Sequence, residues 1–111
     1  MLEERMKIIN YLDAYNPLLT EHQKETMGLY YLQDLSLGEI SDNMQISRQA
    51  VHDVIKRTTK ALIEYEKKLG VVKKQETTKK HLSNVIDNLE TGLPKQVEYA
   101  MLMLKKIRDD F

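Results

Sequence analysis

The stretch Glu39–Arg57, EISDNMQISRQAVHDVIKR, has the pattern of two short helices joined by a tight turn. Ile40, Met44, Ile46, Val51 and Val54 are the apolar positions that would fix the angle between them, and Ser41 is the small residue at the crossing. The turn is NMQIS, residues 43–47. Each helix has its own start signal. Ser36 and Glu39 form a capping box, in which a hydroxyl bonds the third helical amide and the glutamate reaches back. Ser47 is the N-cap of the second helix.

Downstream, Val51, Val54, Ile55, Thr58, Leu62, Tyr65 and Leu69 recur every three or four residues until Gly70. This predicts one helix of about 22 residues, roughly 33 Å at 1.5 Å per residue. That is longer than groove reading requires, so its distal half must pack on something else. Upstream, Leu2, Met6, Ile9 and Leu12 predict a helix over Leu2–Tyr15 that Asn16-Pro17 ends. A second helix starts at the TEHQ capping box, residues 20–23, and is expected to run to about Asp34. Met27, Leu29, Tyr30, Tyr31 and Leu32 wrap much of its circumference, which places the two tyrosines in a core rather than on a base-stacking surface.

Beyond Gly70 the composition shifts. GVVKKQETTKKH, residues 70–81, is polar and basic and reads as a boundary. A fifth helix is expected after it, carrying Leu82, Val85, Ile86 and Leu89. Gly92 and Pro94 mark a stop and restart. The last helix sets Val97, Met101, Leu104, Ile107 and Phe111 on a seam, with Met103 off it. The expected fold is all-α: a helix-turn-helix domain over residues 1–70 with a long fourth helix, then a two-helix hairpin over 71–111. Neither hairpin helix can bury its apolar face alone, so the hairpin is expected to pack on the fourth helix or to form a homodimer.

Composition narrows the function classes. The 111 residues include 31% charged and 41% hydrophobic residues but only four glycines and two prolines, which suits an all-helical chain. Seventeen basic residues balance seventeen acidic ones, so bulk charge gives no argument for a polyanion and any binding rests on local patches. With no cysteine, disulfides, thiolate metal sites and a thiol nucleophile are excluded. His22, His52 and His81 share no ligand spacing, so neither a metal nor another cofactor is expected. No paired acids, phosphate-cradling glycine loop or nucleophile with a base stands out, so an enzyme is not expected. MLEERMKIINYL, residues 1–12, carries acids where a secretory signal carries bases, and no apolar run approaches a membrane span. The expectation is a cytoplasmic protein with no membrane partner.

The candidate nucleic-acid-binding residues are Ser47, Arg48, Gln49, His52, Lys56, Arg57 and Lys60. Ser47 and the free amides at the helix start suit a phosphate. Arg48 suits guanine or a phosphate, and Gln49 suits adenine. Lys56, Arg57 and Lys60 are spaced for backbone phosphates. Asp53 opposes this reading unless it turns toward its own chain.

Residues 19–62, LTEHQKETMGLYYLQDLSLGEISDNMQISRQAVHDVIKRTTKAL, resemble the helix-turn-helix of region four of bacterial sigma factors. More closely, YNPLLTEHQKE, YYLQDLSLGEIS, ISRQAVHDVIKR and YEKKLG make the chain similar to the YlxM-like family of small Gram-positive proteins. The first resemblance implies binding to double-stranded DNA as a regulator. The second implies a role in the signal recognition particle pathway, with the particle's RNA or its GTPase as an alternative partner. Sigma-type turns usually hold Gly or Asn where this sequence has Gln45, a residue that a positive φ would strain.

Overall fold

In a computed structural model that describes residues 2–111, every regular element is helical among the described residues. Helix α1 spans Leu2–Tyr15 and passes through a single 3-10 turn, Asn16–Leu18, that holds Pro17 at its start. Helix α2, Glu21–Met27, starts from the predicted box: Gln23 N donates to Thr20 Oγ1, and Thr20 N to Gln23 Oε1. Helix α3 is Leu37–Met44 and helix α4 is Arg48–Leu69. Helices α5, Val71–Glu90, and α6, Pro94–Asp109, complete the chain.

The second helix departs from the expected regular run to Asp34. After Met27 it widens into a π-turn over Gly28–Leu32, closed by Gln33 N donating to Gly28 O at 3.0 Å. A side chain from α1 binds the end of this segment. Arg5 Nη2 donates to the carbonyls of Tyr30 and Tyr31 at 2.9 and 3.1 Å, and to Asp34 Oδ1 at 3.0 Å. These two carbonyls lie in the last turn of the helix, where no following helical amide is left to bond them, and the guanidinium supplies their donor. The guanidinium also lies 5.8 and 5.3 Å from the centroids of the two tyrosine rings, which meet edge to face. Asp34 then turns the chain out of the helix at φ +57°.

Two apolar clusters share helix α4. Its leading half contributes Val51 to a cluster with Leu29 and Ile40, joined by Leu35, Met44 and Ile46. Its distal half contributes Leu62, which packs among Ile8, Leu12 and Tyr15 of α1 together with Leu19, Met27 and Val72. Ile55 touches both clusters and links them. The extra length of α4 is therefore the spine on which α1 lies. Ile40, Val51 and Leu62 are completely shielded from solvent, so truncating Ile40 or Leu62 to alanine would cost about 2–5 kcal/mol.

A polar latch closes the far end of this unit. The buried Tyr15 hydroxyl donates to Glu66 Oε1 and accepts from the Val71 amide at 3.1 Å, while Val72 N donates to the same carboxylate oxygen at 3.0 Å. Burial first, and the bond to Glu66 second, raise the Tyr15 pKa above its ordinary value of 10.0. Gly70, at φ +61°, makes the left-handed C-cap that ends α4.

The chain divides into two compact units, one ending at Val72 and the other spanning Lys73–Phe111. The stretch 71–81, expected as a boundary ahead of the fifth helix, is itself helical as the start of α5. The residues explain it: Lys, Gln and Glu are good helix formers, and no glycine or proline interrupts before Gly92. In the second unit α5 and α6 form an antiparallel hairpin. Its turn holds Gly92 at φ +65°, and Thr91 Oγ1 donates to Asn88 O at 2.7 Å. Its open end is joined by Lys74 Nζ, which donates to Asp110 O at 3.1 Å and lies 4.5 Å from the Phe111 ring centroid. Val85 and Ala100 are buried, whereas Leu82, Ile86, Leu89, Val97 and Met101 are exposed. Met103, expected off the apolar seam, is half-buried.

Candidate nucleic-acid interface

The turn between α3 and α4 is built from local bonds. Ser36 Oγ accepts from Glu39 N and Glu39 Oε1 accepts from Ser36 N, both at 3.1 Å, which completes the capping box of α3. Those bonds to Ser36 hold the Glu39 carboxyl below the ordinary carboxylate pKa. Gln45 takes φ +56° and ψ +44°, the left-handed cap that stops α3. Ile46 N donates back to Ser41 O at 3.2 Å, and the Ser41 hydroxyl donates to Ile46 O. Ser41, the small residue expected at the crossing, thus holds the turn as well. Ser47 caps α4 by accepting from Ala50 N at 3.0 Å.

At 3.6 residues per turn, Gln49, Asp53, Lys56 and Lys60 fall on one stripe of α4, with His52 and Arg57 on either side. All but Asp53 are exposed, and Asp53 is half-exposed. This stripe is opposite the face that carries Val51, Thr58 and Leu62 into the core. The leading half of α4 thus presents one polar surface with five of the seven predicted residues on it. Ser47 stands at the end of that surface as its cap.

Arg48 lies elsewhere. It falls about a quarter turn from the stripe, and its guanidinium rests against α3. A β-carbon placed on Gly38 would meet Arg48 Nη2 at 3.1 Å. Gly38 is the residue that allows the arginine to lie across the first turn of α3. Nothing in the spacing of the sequence signals that contact.

Asp53 turns toward its own chain. Its Oδ1 accepts from Gln49 Nε2 at 3.0 Å and lies 3.7 Å from His52 Nδ1, and its carbonyl accepts from Arg57 Nε at 3.5 Å. Three of the predicted residues thereby contact Asp53, the acid expected to oppose a polyanion unless it turned toward its own chain. The i, i+4 spacing of Gln49 and Asp53 was the available signal. Among the described residues no three His, Asp or Glu side chains gather as a metal site, and no helix is long and apolar enough to cross a membrane.

A short capped helix, a left-handed turn and a second capped helix with an outward polar face define a helix-turn-helix protein. The chain belongs to the UPF0122 family, described as "Putative helix-turn-helix protein, YlxM / p13 like", whose profile matches residues 2–106. A UPF0122 protein of Desulforamulus reducens is 44% identical over 110 residues, covering 96% of this chain and 94% of that protein. The UPF0122 protein YlxM of Bacillus subtilis is 45% identical over 101 residues, covering 90% and 91%. A UPF0122 protein of Clostridium botulinum is 44% identical over 89 residues, covering 80% and 82%.

Proposed function

We propose that this protein is a cytoplasmic, non-enzymatic regulator that binds double-stranded DNA through the leading half of α4. The observation that carries the reading is the outward stripe of Gln49, Lys56 and Lys60, flanked by His52 and Arg57, on a helix whose opposite face is anchored in the core. An exposed helix face is what the major groove admits. Gln49 and His52 lie nearest the capped end, where base edges are met, and Lys56, Arg57 and Lys60 lie further along for phosphates. Arg48, set toward α3, is assigned to a phosphate rather than to guanine. Ser47 and the adjoining amides take another.

The exposed apolar residues of the hairpin, Leu82, Ile86, Leu89, Leu93, Val97 and Met101, support pairing of two copies. A homodimer presents two α4 helices to two half-sites. Sedimentation should return twice the 13.0 kDa chain mass, and Ile86→Glu/Met101→Glu should return the monomer.

A second reading is favoured by the balanced charge and by Asp53 within the stripe: an accessory protein of the signal recognition particle that binds its RNA or its GTPase. One experiment separates the two. The protein is purified from its own cells at low salt, and the accompanying nucleic acid and proteins are identified. Enriched duplex fragments sharing a motif support DNA binding. Enrichment of the particle RNA or GTPase without such fragments replaces it with the second reading.

A further inference from the structure

We infer that Asp53 is the positioning residue that makes Gln49 a reader of adenine, an inference that rests on the proposed DNA-binding role and adds a specificity to it. A carboxylate can only accept, so the amide of Gln49 must turn its nitrogen toward Asp53 Oδ1, 3.0 Å away. That bond does two things. It fixes which way round the amide sits, and it uses one of the amide's two N–H groups. What remains is one N–H and one carbonyl oxygen.

Adenine presents one acceptor, N7, and one donor, N6–H, in the major groove, which matches that remainder. Guanine presents two acceptors, N7 and O6. A free glutamine can offer both N–H groups to guanine, but one already bonded to Asp53 cannot, and its carbonyl oxygen would face O6 unpaired. Asp53 therefore confers discrimination by removing a donor. It does so at the expense of affinity, because its charge stands among Lys56, Arg57 and Lys60 and repels phosphate. This gives a reason for an acid on a face otherwise suited to a polyanion.

The test begins with selection of duplexes from a random pool by the whole protein. Affinities are then measured for the selected duplex and for copies in which each A·T pair in turn is changed to G·C. Wild type is expected to prefer adenine at one position by about 5- to 150-fold, the range of a good bidentate contact. Gln49→Ala should abolish that preference. Asp53→Ala should bind both duplexes more tightly yet discriminate less than about threefold, since its amide is free to serve guanine. Asp53→Glu, still a carboxylate that can only accept, should bind about as tightly as wild type and keep the preference. A helix merely destabilised by loss of Asp53 would not separate the two variants. Unchanged discrimination in Asp53→Ala, or its equal loss in Asp53→Glu, overturns the inference. A selected duplex whose base preference ignores Gln49→Ala overturns the inference and leaves DNA binding standing. Selection of no duplex removes both.

Discussion

Gln45 allows the turn between α3 and α4 to be tested as a free-energy statement. It is the exposed residue at φ +56° and ψ +44°, and none of the hydrogen bonds that build the turn comes from its side chain. A residue with a β-carbon in that conformation costs about 1–2 kcal/mol. Gln45→Gly removes the cost but returns about 0.5–1 kcal/mol through the extra freedom of glycine in the unfolded chain. The net expectation is a stabilisation of about 0.5–1 kcal/mol. With a urea m-value of about 1.5 kcal/mol/M, the midpoint should rise by roughly 0.3–0.7 M. Five of the six tyrosines, Tyr11, Tyr15, Tyr30, Tyr31 and Tyr65, precede Val72, so tyrosine emission during urea unfolding reports on the unit that contains the turn. Gln45→Ala keeps the β-carbon and should leave the midpoint within about 0.2 M of wild type. Destabilisation by Gln45→Gly with an unchanged Gln45→Ala would refute the reasoning, since it would mean the backbone there gains nothing from losing its side chain.

Three further outcomes follow from polar groups in the same unit. Thr58 is fully buried and its hydroxyl has no hydrogen-bond partner, so Thr58→Val, nearly the same shape, should stabilise by about 1 kcal/mol in the same urea assay. Tyr15 has a raised pKa in the fold, so its contribution is complete below pH 10.0 and is lost as pH climbs from there through the folded value, because the unfolded chain releases its proton first. Thermal melts above pH 10 should show this extra loss in wild type and not in Tyr15→Phe. Arg5→Ala leaves the carbonyls of Tyr30 and Tyr31 without their donor and should destabilise by about 2–3 kcal/mol, with amide exchange accelerated first across Gly28–Gln33.

What could be read from the sequence was mostly what is local. The caps at Thr20, Ser36 and Ser47 depend on residues three apart, and all three are present with their bonds. The span of α4 followed from an unbroken apolar period and a glycine at its end, and both limits agree. The clamp on the end of the π-turn was not legible because Arg5 lies 25 residues upstream of the carbonyl it bonds. Residues 71–81 misled for a different reason: their charge signalled a change of surface, while their helix propensity, which decides the backbone, is high. In the candidate interface the stripe of α4 was legible from helical spacing. The withdrawal of Arg48 onto Gly38 was not, since it depends on the angle at which the two helices cross.

Whether the outward face of α4 grips duplex DNA is read from the salt dependence of binding. With about four phosphate contacts per subunit, from Arg48, Lys56, Arg57 and Lys60, the logarithm of the association constant for duplex DNA should fall by about 3.6 for each tenfold rise in salt. Lys56→Ala/Lys60→Ala should weaken binding to all duplexes alike and reduce that slope by about 1.8. Duplex binding with no salt slope, or a slope that the double substitution leaves unchanged, would contradict the account.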